Sequence, residues 1–250
     1  MFTPGAAAPA LEWQPSLFGL IEPDFDRTFA GIARIWLDEE CWLDVLPHWL
    51  SGADHVFAEL VARVSWRARR VPMFGRVVTE PRLSAWWSRT DGPVPLPVLE
   101  GIRVALDGRY GVRFDSIGFN LYRSGADSVA WHGDRLASWQ PVPTVAIVSV
   151  GSPRPFSIRP RGGGMSHTFL LGRGDLLVMG GRCQERWEHA VPKVAVADPR
   201  LSITFRHDAA PPPEAVRSIA HDRHEGTTAL AHESGTLPVG FGSAGTRPAS

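Results

Sequence analysis

From residue 117 to residue 206, short apolar runs alternate with polar positions at a period of two, the spacing that sends successive side chains to opposite faces of a strand. Strands are expected near 117–123, 128–133, 143–150, 155–160, 167–171, 175–179, 187–191 and 200–206, separated by breaks such as VGSPRP and RPRGGGMS. RGGG at 161–164 lacks the Lys-Ser/Thr of a phosphate loop and reads as a hairpin turn. Upstream the period changes. Ser51 is an N-cap candidate before GADHVFAELVARV, where Ala53, Val56, Phe57, Leu60 and Val61 recur at helical spacing on a face suited to cover a sheet. MFGRVVTEPR has a β texture, DGPVPLPVLE breaks it, and a second helix is expected at roughly 97–109. Many short strands with few helices predict an α+β, mainly β fold of the sandwich or jelly-roll type. The domain is bounded as 46–208, with 1–45 as an N-terminal extension and 209–250, rich in Pro, Gly, Ser and Thr, as a disordered tail.

Composition narrows the class. The chain has 250 residues, enough for one sizeable core plus appendages, and a 44% hydrophobic share ordinary for a soluble globular protein. Two cysteines, Cys41 and Cys183, make neither a disulfide framework nor a structural zinc site and point to a reducing, cytoplasmic compartment. No apolar run reaches the roughly 18–20 residues of a membrane span, and MFTPGAAAPA is not a secretory signal, so no membrane partner is expected. Net charge is zero, yet Arg63, Arg67, Arg69, Arg70, Arg76, Arg82 and Arg89 face a single acid, Glu80, between residues 61 and 89. That cluster is either a solvated basic face or a rim for phosphates.

The chemistry sits in NLYRSGADSVAWHGDR at 120–135. On an extended strand His132 and Asp134 share a face with Cα atoms roughly 6.6 Å apart. An imidazole and a carboxylate can converge from there on one metal ion. His189 in WEHAVPK would complete two histidines and a carboxylate on one face of an octahedron, the arrangement of non-haem Fe(II) oxygenases. PRLSITFR puts Arg200, Ser202, Thr204 and Arg206 on one face and Leu201, Ile203 and Phe205 on the other. Inward guanidinium groups need anionic partners, and a dicarboxylate co-substrate supplies them. Asn120 and Tyr122, two apart on the strand leading to the metal pair, can add neutral hydrogen bonds to the same carboxylate.

These segments resemble the AlkB family of Fe(II)- and 2-oxoglutarate-dependent dioxygenases, whose signature runs N-x-Y, H-x-D, a distal H and R-x-N-x-T-x-R. The resemblance extends from about Trp49 to Arg206 and takes in VAIVSVGSPRPFSIRPR and GDLLVMGG. It implies a double-stranded β-helix with helices packed on one side and the metal at the open end of the roll. It implies His132, Asp134 and His189 as iron ligands, and Asn120, Tyr122, Arg200, Ser202, Thr204 and Arg206 as the 2-oxoglutarate site, with Arg200 on the distal carboxylate. The chain departs from the signature at Ser202, where the family has Asn, and at Leu136, where repair members often carry an acid against the flipped base.

The implied activity is oxidative demethylation of N-alkylated bases of the 1-methyladenine and 3-methylcytosine type in DNA or RNA. Formaldehyde is released as O2 is consumed and 2-oxoglutarate becomes succinate. The implied partner is alkylated nucleic acid, bound by a monomer. Residues of about 70–95 resemble the family's nucleotide-recognition lid. Trp86 or Trp87 would stack the flipped base, against His132 on the other side. Phe74 in MFGR would wedge into the gap it leaves. Arg76 and Arg82 would meet phosphates, and Leu136 would line the base pocket. The competing readings are a dioxygenase acting on a protein or small molecule, which Leu136 motivates, and a binding module that has lost its metal chemistry.

Overall fold

A computed structural model describes residues 21–73, 75–134 and 142–207. In chain order the strands are β1 (Asp24–Phe25), β2 (Ala33–Trp36), β3 (Cys41–Leu46), β4 (Leu50–Ser51), β5 (Arg70–Met73), β6 (Arg76–Thr79), β7 (Leu83–Ser88), β8 (Ser116–Tyr122), β9 (Val129–His132), β10 (Val145–Gly151), β11 (Arg154–Pro160), β12 (His167–Leu171), β13 (Asp175–Gly181), β14 (Trp187–Val191) and β15 (Arg200–Arg206). The α-helices are α1 (Ala53–Arg63), α2 (Pro97–Tyr110) and the single turn α3 (Cys183–Arg186).

Two antiparallel sheets form the roll. The larger has the order β2-β3-β13-β10-β15-β8-β7, and the smaller β12-β11-β14-β9. The period-two pattern explains how the larger sheet is used. Leu201, Ile203 and Phe205 of β15 join Ile117, Phe119 and Leu121 of β8 and Ala146, Val148 and Val150 of β10 in one core. Val56, Phe57 and Leu60 of α1 and Leu99, Ile102 and Leu106 of α2 close that core from outside. A second core lies on the other face. There Leu43, Tyr122, Val145, Ile147, Leu177 and Met179 meet Phe156, Ile158, Leu171, Trp187 and Val191. This is the jelly roll, with helices on one side, that the resemblance implied.

Several local expectations change. Ser51 does not cap α1; it ends β4, where its hydroxyl donates to the Asp24 carbonyl at 2.8 Å. Gly52 holds the cap position with φ 64°, and a Cβ there would lie 2.6 Å from the Ile21 carbonyl oxygen. A serine needs room and negative φ that this crossing denies. Within the segment set apart as an N-terminal extension, β2 and β3 hydrogen-bond into the larger sheet, β3 against β13 from Leu46↔Leu176 to Cys41↔Gly181. Their signal is a partner more than a hundred residues away, which local patterning cannot carry. Part of the segment read as a lid is likewise sheet. β7 pairs with β8 from Leu83↔Leu121 to Ser88↔Ser116, and only β5 and β6 stand apart as a hairpin. RGGG does form the turn between β11 and β12. Cys41 and Cys183 are free and buried. Among the described residues no helix is long and apolar enough to cross a membrane. The proposed tail at 209–250 lies outside the described residues, as do Phe74 and Leu136.

Candidate active site

The three residues singled out for metal converge. Ligand atoms of His132, Asp134 and His189 all lie within 4.8 Å of one another. His132 and His189 are direct cross-strand partners on β9 and β14, with ring centroids 4.3 Å apart. His132 Nδ1 is 2.8 Å from the Ala130 carbonyl, which can only accept, so Nδ1 carries a proton and Nε2 is the ring nitrogen left to meet a metal. His189 stacks on Phe156 at 5.3 Å and 23°. Burial pushes its pKa down to about 3, so its imidazole is neutral and free to donate a lone pair.

Asp134 is not on the strand. β9 ends at His132, and Gly133 is packed so closely that a Cβ there would meet Arg161 Nη2 at 2.5 Å and the Gln184 carbonyl oxygen at 2.6 Å. The Asp134 N–H then donates to Gln184 Oε1 at 2.9 Å, which fixes the carboxylate's approach. Arg206 Nη2 donates to Asp134 Oδ1 at 2.7 Å, while Oδ2 is buried with no partner. Burial works against the charge, but the Arg206 guanidinium bonded to it outweighs that and holds the carboxyl below its ordinary pKa. Two imidazoles, that of His189 held neutral, and a carboxylate with one free buried oxygen fit a divalent metal such as Fe(II).

The β15 expectation holds residue by residue. Arg200, Ser202, Thr204 and Arg206 all line one cavity of about 1170 Å³, with Asn120 and Tyr122 of β8 beside them and the metal cluster in its wall. Arg200 is 1% exposed. Its Nε donates to the Leu171 carbonyl at 3.1 Å and its Nη2 to Ser149 Oγ at 2.7 Å. Nη1 is buried and unpartnered, and the Tyr122 ring lies 5.4 Å from the guanidinium carbon. Burial pulls the Arg200 pKa down, since no carboxylate bonds to it. A cation held by neutral groups with one donor left over fits a co-substrate carboxylate. The register groups these residues into rows: Tyr122 opposite Arg200, Asn120 opposite Ser202, Gly118 opposite Thr204 and Ser116 opposite Arg206.

Sequence reasoning left open which tryptophan faces the cavity, and burial separates them. Trp86 is 51% exposed, and Arg206 Cζ lies 5.6 Å from its ring centre. Trp87 is 7% exposed, belongs to the helix-covered core and donates from Nε1 to the Gly92 carbonyl at 3.1 Å. Adjacent residues on a strand point opposite ways, and Trp87 belongs to the core, although it also lines the cavity. Gly118 makes room for its neighbours: a Cβ there would lie 2.9 Å from Arg206 Nη1 and 3.2 Å from Trp86 Cζ3. Arg82 lines the cavity and donates to Asn120 Oδ1 at 3.0 Å, whereas Arg76 is exposed on the hairpin and is not among the lining residues. Arg63, Arg67 and Arg69 line the cavity as well.

Two participants escaped the sequence. Ser149 is the one polar side chain in VAIVSVG of the central β10, and a lone hydroxyl in an otherwise apolar run was its available signal. Gln184 is 2% exposed on the turn α3, and nothing in its local pattern tells it from a surface residue.

Comparisons with known proteins agree with this geometry. The 2OG-Fe(II) oxygenase superfamily profile matches residues 93–206, from ahead of α2 through β15. DNA oxidative demethylase ALKBH2 of Homo sapiens is 32% identical over 179 residues, covering 62% of this chain and 69% of that protein. Alpha-ketoglutarate-dependent dioxygenase alkB homolog 3 of Bos taurus is 34% identical over 178 residues, covering 63% of this chain and 62% of its own length. The match to the alkB homolog 3 relatives thus extends over less than two thirds of their length. The solved structure of OsALKBH1 superposes with a TM-score of 0.51 at 14% identity, over 70% of this chain and 100% of that one, which speaks to the fold alone. Fold, metal cluster and buried arginines agree with the match to the 2OG-Fe(II) oxygenase superfamily. Within that class, the chain belongs to the AlkB family.

Proposed function

We propose that this protein oxidatively demethylates N-alkylated bases of the 1-methyladenine and 3-methylcytosine type in DNA or RNA. Fe(II), 2-oxoglutarate and O2 supply the oxidation, by which the N-methyl carbon is hydroxylated and leaves as formaldehyde while the co-substrate becomes succinate. In this reading His132, Asp134 and His189 hold the metal. Arg200 binds the far carboxylate of 2-oxoglutarate through Nη1, with Tyr122, Asn120, Ser202 and Thr204 along the same wall. Arg206 keeps Asp134 ionised and oriented.

The observation that carries the substrate assignment is Trp86. Its half-exposed ring borders the cavity that holds the metal cluster, with Arg206 between ring and Asp134. A flat aromatic wall suits a base taken out of its stack. Arg63, Arg67, Arg69 and Arg82 surround it with positive charge suited to a phosphate backbone. Relatives named DNA oxidative demethylase support the same substrate class. The test is succinate and formaldehyde formation with methylated oligonucleotides as single-stranded DNA, duplex DNA and RNA. Succinate formation that no methylated nucleic acid stimulates would sink the assignment in favour of a protein or small-molecule substrate.

A further inference from the structure

The cavity wall contributed by β7 and the strand entering it carries polar atoms that the proposed chemistry leaves unused. Among the described residues Glu80 and Asp134 are the two carboxylates lining the cavity. Asp134 is committed to Arg206 and the histidine cluster. Glu80 is held but not saturated. Its Oε1 lies 3.3 Å from Arg82 Nη2, and Arg82 Nε is itself anchored on Asn120 Oδ1 at 3.0 Å. The backbone fixes the same residue twice, since Glu80 N–H donates to the Arg69 carbonyl at 2.8 Å and Arg82 N–H to the Glu80 carbonyl at 2.9 Å. Glu80 Oε2 is nevertheless buried without a partner. Ser84 Oγ, also lining the cavity, is buried and unpartnered too.

Position makes these two atoms more than stray orphans. Ser84 and Trp86 are two apart on β7 and share its cavity face, and Ser84 stands opposite Asn120 across the ladder. A base stacked on Trp86 would share the cavity with Ser84 and Glu80, whose bare oxygens are open to its hydrogen-bonding edge. Buried polar groups ordinarily have partners, so a fixed carboxylate oxygen and a hydroxyl left bare in a ligand-sized cavity indicate a partner that arrives with the ligand.

We infer that Glu80, assisted by Ser84, reads the substrate's edge and selects alkylated bases that present an amino donor and a positive charge. The inference rests on the nucleic-acid reading above. Methylation at N3 of cytosine or N1 of adenine leaves the base cationic, with charge spread onto the exocyclic amine. That group donates to a carboxylate, as cytosine N4 does to Glu or Asp in groove recognition. 3-Methylthymine and 1-methylguanine are neutral and offer a carbonyl oxygen at the corresponding place, which a carboxylate repels. The Ser84 hydroxyl can donate or accept and fits either kind.

3-Methylcytosine and 3-methylthymine, which differ at C4 by an amine against a carbonyl, provide the test. The ratio of their kcat/KM values is measured in one oligonucleotide context for wild type, Glu80→Gln and Glu80→Asp. Glutamine keeps an oxygen for Arg82 but replaces the free acceptor by a donor. The 3-methylcytosine preference should then fall roughly 10- to 100-fold, the range expected for losing a charge-assisted hydrogen bond. Glu80→Asp should recover part of it. Each ratio comes from a single preparation, so loss of folded protein cancels. An unchanged ratio in Glu80→Gln, or an equal loss on both bases, overturns the inference and leaves Glu80 as an anchor for Arg82. A wild-type protein that oxidises neither base overturns the nucleic-acid reading, and the inference with it.

Discussion

At the floor of the cavity the functional side chains stand mostly on strands paired on both flanks. β15 lies between β10 and β8, β8 between β15 and β7, and β14 between β11 and β9. At the rim, β7 is an edge strand, β5 and β6 form a separate hairpin, and Arg67 and Arg69 sit on the connection leading into it. Tyr122, His189, Arg200, Ser202 and Thr204 on the floor are buried, whereas Arg67, Arg69 and Arg76 at and around the rim are exposed. His132 is the floor's exception, on the edge strand β9, and there the Ala130 carbonyl locks the ring. The difference separates two tasks. Binding a metal and a small dianion needs fixed geometry, which doubly paired strands supply. Meeting a polymer of varied sequence needs charge and one flat surface, which an edge can offer without disturbing the ladder.

The sharpest break in that contrast comes from the metal ligands. Asp134→Ala or His132→Ala should lose Co(II) binding, read by its d–d absorption, and 2-oxoglutarate turnover should fall to background with the fold intact by circular dichroism. Turnover surviving in both variants would remove the cluster from the mechanism. The adjacent tryptophans come next, because they divide core from wall within one dipeptide. Trp87→Ala should destabilise the protein by about 3–5 kcal/mol in urea unfolding, the usual range for a buried aromatic. Gln184→Leu should leave that stability nearly unchanged yet weaken Co(II) binding by roughly 10- to 100-fold, as groups supporting metal ligands do. Trp86→Ala should cost about 1–3 kcal/mol in oligonucleotide binding with little change in stability or in salt dependence, since stacking is not ionic. The smallest effect is at the rim. Arg67→Ala should lower the slope of log K against log[salt] by about one unit if it meets one phosphate, and an unchanged slope would take it off the nucleic-acid path.

The same contrast explains what was legible in the sequence. β15 could be read from PRLSITFR because its two faces differ sharply in chemistry, and all four polar residues lie on the cavity side. The H-x-D pair and His189 could be placed together because residue type and spacing limit what can hold a metal. β2 and β3 escaped because their membership of the sheet depends on β13, far along the chain. Trp86 and Trp87 could not be told apart, since a period of two assigns opposite faces without saying which is wet. Asp134 was placed on the strand because spacing does not reveal that the ladder stops at His132, with Gly133 packed against Gln184. Patterns that repeat along one element were readable; contacts between elements were not, except at the metal cluster, where residue type narrowed the choice.

The register of β8 on β15 carries one more consequence. Seven consecutive partners, from Tyr122↔Arg200 to Ser116↔Arg206, place every polar residue of β15 on the cavity side at once. A slip of one residue during folding would turn the whole set over, sending Leu201, Ile203 and Phe205 to the cavity and two guanidinium groups into the apolar core. Such a chain could bind neither the dianion nor the cluster that Arg206 supports, and the buried charges would drive it to unfold again. Assembly errors in this ladder are therefore self-cancelling. A molecule has either all four polar residues of β15 facing the cavity or none of them.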